Sequence, residues 1–391
     1  MILSVIIYPT NRRHTVRLIR YKLSRIEENG WEFSPIALGR INLLVGDSGT
    51  GKSRLLNTIV NFSKQLVSER INYDGDWDID FQVNGAAYKY KLVVKNSLQD
   101  VNEKEIVYEE LTDSHTNKPL IRREKDSLFW KGEKIPKLAK NISTIVMLKE
   151  EKDIREIYDG FRRIVARRFF TDELSQNFQF GAIPPDLQKR IVDKKDAQVL
   201  LSEPFDFHNK MNLLKTIDPA MYSRIVDLYI KAFPYVTETS IQSLSQIFKS
   251  VPMPLQAPVF CIKEKEITNW IPVNDISSGM QKIFLLILDL FLMKDSGILL
   301  IDEYENSLGI NAINFLPDLI YTISEKCQFI ITSHHPYIIN TIPIEDWHVF
   351  HRRGLTVTVK SGREMKEKYR ASKQEQFVQL INDPFYTSGV E

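Results

Sequence analysis

A single short motif restricts the possible folds of this chain more than any other feature. Residues 46–53 read Gly-Asp-Ser-Gly-Thr-Gly-Lys-Ser, which matches in full the phosphate-loop pattern of a glycine, any four residues, Gly-Lys and a hydroxyl residue. The motif lies between a short apolar strand, 41–45, and a run with helical spacing, 53–65. Inward-facing loop amides and the positive end of a following helix bind phosphate oxygens. The sequence therefore predicts a phosphate site built as strand, loop and helix.

Two side chains of this loop have separate roles towards a nucleoside triphosphate. The Lys52 ammonium can reach the β- and γ-phosphates, and the Ser53 hydroxyl can bind Mg²⁺. A chance glycine turn before a helix is the plainer interpretation, but a random chain of this length matches the motif only on the order of one time in a hundred. We therefore expect ATP and Mg²⁺ as ligands. The predicted nucleotide contacts here are Gly46, Asp47, Ser48, Gly49, Thr50, Gly51, Lys52, Ser53 and Arg54.

A second candidate segment is an apolar strand that ends in two carboxylates. Residues 298–301 read Ile-Leu-Leu-Ile and are followed by Asp302 and Glu303. Such a strand can run beside the phosphate-loop strand in a parallel sheet, where its carboxyl end faces the ligand. Asp302 would then hold Mg²⁺ directly or through water, and Glu303 would orient and deprotonate the attacking water. Taken alone, a solvated strand end is the competing interpretation.

Two further segments carry polar side chains at the end of an apolar helix or strand. Ser277, Ser278 and Gly279 precede the apolar helix 283–293, and hydroxyls at a helix start form an anion site. The plainer interpretation of this segment is a serine N-cap on a buried helix. His334 follows the apolar strand 328–332 and is placed to bond a γ-phosphate oxygen or the attacking water. Otherwise this histidine is only a polar strand end.

The order of these motifs along the chain resembles that of ABC-type ATPases. The phosphate loop is followed by Ser-Ser-Gly-Met-Gln, Leu-Ile-Asp-Glu and Thr-Ser-His. The spacing of 227 residues from Lys52 to Gly279 (279 − 52) is longer than in transporter subunits. The run Tyr-Glu-Asn-Ser-Leu-Gly at 304–309 is similar to that of OLD-like, AAA-labelled ATPases. The chain therefore resembles the SMC-like, RecF-like and OLD-like branch.

This resemblance implies an α/β P-loop NTPase fold with an ABC-type head. It implies ATP hydrolysis by Glu303, assisted by Lys52 and His334, in a head-to-tail homodimer or a higher even oligomer. Each ATP would be capped by Ser277, Ser278 and Gly279 of the other subunit. Members of the branch carry a Q-loop glutamine, but the expected place, 146–150, reads Val-Met-Leu-Lys-Glu.

OLD enzymes carry a TOPRIM nuclease after the ATPase, which we do not expect here because the 57 residues after His334 (391 − 334) leave too little room for it. We therefore expect an ATPase whose effector, a nuclease or a toxin, is a separate protein, similar to bacterial anti-phage systems of the Septu-like or PARIS-like kind. A RecF-like or SMC-like DNA-repair ATPase acting on DNA is the alternative. The D-loop, 307–309, departs from the family pattern, because Gly309-Ile310 stands where relatives often have His-Pro.

Changes of pattern along the chain predict three parts. Residues 1–150 would form the N-terminal part of the ATPase, with the phosphate loop and an antiparallel β-lobe around a hairpin turn at Asn84-Gly85. Residues 151–270 would form a helical insertion, and residues 271–391 the C-terminal part of the ATPase. Further expected elements are a first strand at 1–8, a helix at 312–326, a hairpin at 347–359 and a helix at 372–381.

Composition limits the class of protein. Lys plus Arg and Asp plus Glu nearly balance, 52 against 50, so no global basic excess indicates nucleic acid. Cys261 and Cys327 have neither metal-ligand nor disulfide spacing, which favours a reducing, cytoplasmic environment. The longest apolar run, 283–293, contains Asp289 and is shorter than the roughly 20 residues of a membrane span. We expect no membrane association.

Two segments each allow two interpretations. The run 161–170 predicts a basic amphipathic helix that grips nucleic acid or an acidic partner, or merely forms a solvated face. The predicted contacts of that helix are Arg162, Arg163, Arg167 and Arg168. Near the C-terminus, Phe385 and Tyr386 would dock a partner or pack on their own domain.

Overall fold

The computed structural model describes most, but not all, of the chain. The described residues are 15–24, 30–97, 103–124, 127–136, 139–167, 177–247, 257–293, 296–306, 308–309, 313, 317, 319–321, 327–366 and 373–390. The strand expected at 1–8, Arg168 and Ser307 lie outside these residues. The helix expected at 312–326 is described only at 313, 317 and 319–321.

Strands account for much of the described chain. They are β1 (Val16–Ser24), β2 (Glu32–Ala37), β3 (Ile41–Val45), β4 (Gly75–Val83), β5 (Ala86–Asn96), β6 (Lys104–Asp113), β7 (Lys118–Glu124), β8 (Ser127–Trp130), β9 (Glu133–Ile135), β10 (Ile164–Arg167), β11 (Val236–Ser243), β12 (Pro258–Glu264), β13 (Ile271–Pro272), β14 (Ile298–Ile301), β15 (Gln328–Thr332), β16 (Trp347–Arg353) and β17 (Thr356–Ser361).

Helices lie mainly after the phosphate loop and in the second half of the chain. They are α1 (Lys52–Val67), α2 (Thr144–Met147), α3 (Lys152–Phe161), α4 (Pro185–Lys194), α5 (Val199–Ser202), α6 (Phe207–Ile217), α7 (Pro219–Ala232), α8 (Leu244–Ile247), α9 (Ser278–Met293), α10 (Pro336–Thr341), α11 (Gly362–Met365), α12 (Lys373–Ile381) and α13 (Pro384–Thr387). Short 3₁₀ turns cover Val273–Asp275 and Ile344–Asp346.

Among the described residues, fourteen strands form one sheet in the order β10-β14-β15-β3-β16-β17-β2-β1-β4-β5-β6-β7-β8-β9. At one end, β10, β14, β15, β3 and β16 are parallel neighbours. Every residue of β3, β14 and β15 is buried, as expected of parallel strands covered on both faces. Since the carboxyl ends of parallel strands meet at one edge, the segments that follow these three strands lie side by side.

The antiparallel β-lobe continues the same sheet. From β4 to β9, each strand pairs antiparallel with the next one along the chain. The turn between β4 and β5 has φ 51° at Asn84 and 86° at Gly85. This left-handed conformation is the one that a two-residue hairpin needs, and the predicted hairpin is confirmed.

A second core surrounds α9. Apart from Ser278 and Gln281, all residues of this helix are buried. Its Phe284 stacks on Tyr229 of α7, with ring centroids 3.9 Å apart, and meets Phe207 of α6 edge-on at 4.7 Å. These aromatic contacts fix α9, and with it the serines at its start, against α6 and α7.

The basic amphipathic helix predicted over 161–170 is wrong. The helix α3 ends at Phe161, and Ile164–Arg167 form β10, which pairs in parallel with β14. The amides of Ile298 and Asp302 donate to carbonyls of this segment at 3.2 and 2.9 Å. Pairing beside a buried strand satisfies the backbone groups of a short apolar run, and this outweighs its helix-like spacing.

The arginines of this segment do not form one basic surface. Arg167 donates to both carboxylate oxygens of the buried Asp289, at 2.6 and 2.8 Å. Arg163 donates hydrogen bonds to two side chains of its own chain. Arg162 is exposed, and Arg168 is outside the described residues. Of the four arginines predicted to contact nucleic acid, Arg163 and Arg167 are therefore hydrogen-bonded within the protein instead.

The C-terminal region has the elements that its pattern predicts. β16 and β17 pair as an antiparallel hairpin, and α12 coincides with the helix expected at 372–381. Phe385 and Tyr386 are half-buried against their own chain, the second of their two predicted alternatives. Within the described residues, a search for a helix long and apolar enough to cross a membrane finds none.

Candidate functional site

The loop of residues 46–53 joins β3 to α1. Gly51 has φ 101°, a left-handed conformation that glycine adopts without strain, and a Cβ there would lie 2.8 Å from the Trp31 ring. The Thr50 hydroxyl closes the loop by donating to one of its carbonyls at 2.8 Å. The tip of the loop, 47–49, is exposed. The loop is thus open to a ligand at its tip and packed where it enters α1.

The Lys52 side chain folds back over the phosphate loop that precedes it. Its ammonium donates to the carbonyls of Gly46 at 2.7 Å and Asp47 at 2.9 Å. Burial lowers the pKa of Lys52 to about 8, and the carboxylates of Asp47 and Asp302 oppose that shift. The side chain is therefore a cation with little solvent around it, for which phosphate oxygens are stronger acceptors than carbonyls.

Three oxygen-bearing side chains from three separate segments meet below the loop. The Ser53 hydroxyl donates to Asp302 Oδ1 at 2.9 Å, and the Thr332 hydroxyl donates to the same oxygen at 2.6 Å. Asp302 follows β14, and Thr332 ends β15. The parallel sheet therefore brings together Ser53 and Asp302, which the sequence singles out from opposite ends of the chain.

Glu303 begins the turn that follows β14. Its φ of 48° lies in the left-handed region, which is uncommon for a residue with a side chain and persists only where the surroundings impose it. Its amide donates to the Thr332 hydroxyl at 2.7 Å, and its Oε2 accepts from the Asn306 side chain at 3.3 Å. The Glu303 side chain is exposed at the sheet edge, next to Asp302.

Lys282 holds this turn from below, a role that the sequence did not reveal. Its ammonium lies 3.2, 2.7 and 2.9 Å from the carbonyl oxygens of Glu303, Tyr304 and Asn306. Burial lowers the pKa of Lys282 to about 7. The signal that was available is a lysine in the first turns of the otherwise apolar α9, since buried lysines are rare and need partners.

His334 and Glu305 link the neighbouring loops. The His334 amide donates to Glu305 Oε1 at 2.7 Å. Loss of solvent around the His334 ring, together with the charge of Lys52, lowers the pKa of this histidine. The other carboxylate oxygen of Glu305 is buried, and within the described structure it has no hydrogen-bond partner. Glu305 is thus a site residue to which the sequence pattern alone assigns no role.

The segment 277–279 stands apart from these groups within one chain. Ser277 accepts the Met280 amide at 3.3 Å, which is the bond of an N-cap, and the side chains of Ser277 and Ser278 are exposed. None of the hydrogen bonds found among the described residues joins 277–279 to the phosphate loop. Both interpretations of the segment therefore remain compatible with the structure of a single subunit.

The place expected for the Q-loop belongs to α2 and the turn after it. Thr144 of α2 donates its amide to both carboxylate oxygens of Glu109 in β6, at 3.0 and 3.1 Å. The strand that ends beside Asp302 is instead β10, whose Arg167 carbonyl accepts the Asp302 amide at 2.9 Å. The chain then enters 168–176, outside the described residues.

A family model described as "AAA domain, putative AbiEii toxin, Type IV TA system" (AAA_21) matches residues 41–340. The matched region runs from β3 into α10 and includes the phosphate loop, Lys282, Asp302, Glu303 and His334. No curated protein shows significant similarity to the sequence.

The fold is similar to that of a solved SMC head domain. An Smc head bound to the C-winged helix domain of ScpA has a TM-score of 0.50 at 13% identity, over 88% of this chain and 97% of that chain. The Pyrococcus furiosus Smc head with an extended coiled coil, bound to the C-terminal domain of ScpA, gives 0.49 at 12% identity over 91% and 100%. The Thermotoga maritima SMC head gives 0.39 at 15% identity over 88% and 98%. The first of these similarities confirms the predicted α/β P-loop fold.

Proposed function

We propose that this chain, which belongs to the AAA_21 family, binds and hydrolyses ATP. The observation that carries the proposal is the meeting of Lys52, Ser53 and Asp302 at the carboxyl edge of the parallel sheet, where Ser53 and Asp302 are 2.9 Å apart. A buried cation and an oxygen pair below a glycine-rich loop are the groups that a magnesium triphosphate requires.

The donor set of this edge fits Mg²⁺. In the described part of the chain, no group of three His, Cys, Asp or Glu side chains could hold a metal ion on its own. Ser53 and Asp302 offer two oxygen ligands, and Mg²⁺ is commonly held by one or two protein oxygens, with phosphates and water completing its shell. When bound, Mg²⁺ supplies charge neutralisation to the phosphates.

Glu303 is proposed as the base for the attacking water. Its carboxylate is exposed beside Asp302, and the turn that carries it is fixed by the Thr332 hydroxyl and by the Lys282 ammonium. A base needs such a fixed position because proton transfer requires hydrogen-bond reach of the water. His334, on the next loop, is placed to bond the γ-phosphate.

A second subunit is proposed to complete the site. The exposed hydroxyls of Ser277 and Ser278 stand at the N-terminus of α9, where the helix dipole favours an anion. Because no described hydrogen bond connects them to the loop of their own chain, a head-to-tail homodimer would bring them to the γ-phosphate held by the partner. A higher even oligomer built from such dimers uses the same contact.

The cellular role that we propose is control of a separate effector protein, a nuclease or a toxin, in anti-phage defence in the cytoplasm. The SMC heads of similar fold are described as bound to ScpA, which is a precedent for a head that works through a protein partner. A RecF-like or SMC-like role on DNA is the alternative. The DNA alternative has less support, because Arg163 and Arg167, two of the arginines predicted to contact DNA, are hydrogen-bonded within the protein.

The experiment that tests the ATPase proposal is a comparison of Lys52→Ala with Lys64→Ala. Lys64 is exposed in the last turn of the same helix, so its loss changes the charge equally without touching the loop. Wild type and Lys64→Ala should bind a fluorescent ATP analogue with Mg²⁺ and release phosphate, while Lys52→Ala should do neither. Unchanged ATP affinity in Lys52→Ala would show that the phosphate-loop assignment is wrong.

A further inference from the structure

The segment 383–390 lies directly against the outer face of the phosphate loop. A Cβ built on Gly389 would be 3.1 Å from Asp47 Cβ and 3.3 Å from Thr50 Cγ2. From the other side, a Cβ on Gly49 would meet Val390 at 3.9 Å. Gly389 therefore lies against the side chains of Asp47 and Thr50, without space for a further side chain between it and the loop.

The hairpin β16–β17 holds the segment in this place. The Arg352 amide donates to the Gly389 carbonyl at 2.8 Å. The Phe385 ring stacks on His351 with centroids 5.0 Å apart, and the Lys360 ammonium lies 4.0 Å from the centre of the same ring. Since β16 also pairs with β3, the strand that enters the phosphate loop, the hairpin connects this segment to the start of the loop.

At its other end, the segment is connected to the loop of His334. The Asp383 carboxylate caps α13 by accepting the Phe385 amide at 2.8 Å. The preceding α12 packs against α10, and the Phe377 amide donates to the Asn340 side chain at 3.3 Å. Because α10 directly follows His334 and His335, the segment bridges two of the loops that form the candidate site.

We propose that the segment 383–390 is a positioning element of the nucleotide site, which holds the phosphate loop in its binding shape. Loop amides bind phosphate only when they point inward together, and a loop that is ordered beforehand loses less entropy on binding. The inference rests on the proposed ATP binding and deepens it, because it names a part of the site outside every ATPase motif. Coupling of this kind is reciprocal, so bound nucleotide stabilises the docked segment in turn.

Two substitutions disturb the contact in opposite ways. Gly389→Ala inserts a methyl group 2.9 Å from the Tyr386 carbonyl oxygen of the same segment and 3.1 Å from Asp47 Cβ, so the segment must shift against the loop. Because Gly389 is not in the left-handed region, the effect is steric and not a backbone strain. Phe385→Ala removes the ring that anchors the segment to the hairpin. Each should weaken binding of a fluorescent ATP analogue with Mg²⁺ by about ten-fold, while the melting temperature of the free protein stays close to that of wild type.

Gly39→Ala is the matched control. It makes the same chemical change just before β3, where a Cβ would meet its nearest atoms at 3.6 and 3.9 Å, which is ordinary contact. This variant should bind ATP as wild type does. A second measurement is hydrogen exchange of the Arg352 amide, which donates to Gly389. Addition of ATP and Mg²⁺ should slow this exchange in wild type and leave it unchanged in Lys52→Ala.

The possible outcomes separate this inference from the function on which it rests. If wild type binds no ATP, the proposed function fails and the inference fails with it. If wild type binds ATP but Gly389→Ala and Phe385→Ala bind it equally well, the segment has no positioning role and the ATPase proposal is untouched. The inference would also be overturned if Gly39→Ala weakened ATP binding equally, or if ATP did not change the hydrogen exchange of the Arg352 amide.

Discussion

Replacing Lys282 with methionine should slow ATP hydrolysis without weakening ATP binding. The Lys282 side chain is fully buried, and its ammonium is shared by the carbonyls of Glu303, Tyr304 and Asn306 at 3.2, 2.7 and 2.9 Å. Methionine keeps the length of the side chain but cannot donate. The turn that carries Glu303 in its left-handed conformation would therefore lose the donor that its three carbonyls share.

The effect on stability is the difference between two opposing contributions. Burial lowers the pKa of Lys282 from 10.5 to about 7, and at about 1.4 kcal/mol per pKa unit this corresponds to a cost of roughly 5 kcal/mol for the buried charge. Methionine removes that cost. It also leaves three carbonyls without their donor, at ~1–3 kcal/mol each. The net change should stay within about 4 kcal/mol, which a domain of this size tolerates.

The effect on the rate should be larger than the effect on the fold. A reacting group displaced by about 1 Å loses on the order of 100-fold in rate, so we expect kcat to fall about 10- to 100-fold. The affinity for ATP should be unchanged, because the three carbonyls that Lys282 contacts belong to the turn that carries Glu303 and not to the phosphate loop. Phosphate release and titration with a fluorescent ATP analogue measure the two quantities separately.

Two further variants serve as controls for this prediction. Lys231→Met makes the same change at an exposed position of α7 and should leave both quantities unchanged. Lys282→Arg keeps the charge and should recover part of the rate. If Lys282→Met hydrolyses ATP at the wild-type rate while remaining folded, the three carbonyl bonds do not position Glu303. If it loses ATP affinity instead, Lys282 acts on the binding loop and our reasoning is wrong.

Two other predictions concern the dimer and the pH dependence of stability. Glu303→Gln should still bind ATP, hydrolyse it about 10²–10⁴-fold more slowly and be the most associated form in light scattering with ATP, whereas adding Gly279→Asp should return it to the nucleotide-free state. Wild-type turnover in Glu303→Gln, or undiminished association in the double variant, would contradict this. Folding lowers the pKa of Lys282 from 10.5 to about 7. Between about pH 7 and 10, Lys282 is therefore protonated in the unfolded chain but neutral in the folded protein. The free energy of unfolding of wild type, relative to that of Lys282→Met, should then rise with pH in that range. Urea unfolding at pH 7 and pH 9 measures it, and a constant difference would refute it.

The parts of the site that could be predicted from the sequence are those encoded by local pattern. Strand, glycine-rich loop and helix follow one another between Ile41 and Val67, so residue spacing alone predicts their order. The apolar run before Asp302 likewise predicts a buried strand. Parallel pairing of such strands then places their ends at one edge, and the distance from Ser53 to Asp302 follows from the fold class.

The parts that could not be predicted depend on contacts between distant segments. The residues of β10 have a helix-compatible pattern flanked by arginines, and only the free edge of β14 makes a strand the better solution. The three acceptors of Lys282 are backbone carbonyls, which leave no trace in side-chain patterns. The contact between Gly389 and the phosphate loop joins opposite ends of the chain, and a glycine close to a C-terminus indicates no particular partner.

The two sides of the proposed nucleotide site differ in how they are held, and this bears on where binding can be regulated. On the α9 side, the buried pair of Asp289 and Arg167 adjoins Asp302, and Lys282 fixes the next turn. A buried ion pair contributes defined geometry more than stability, and breaking one is costly, so this side should behave as a rigid wall. On the other side, the described contacts of the segment 383–390 with the hairpin include the half-buried Phe385 ring on His351 and a backbone hydrogen bond from Arg352. Partly exposed contacts of this kind open at a low free-energy cost. Changes in nucleotide affinity should therefore arise on this side of the loop.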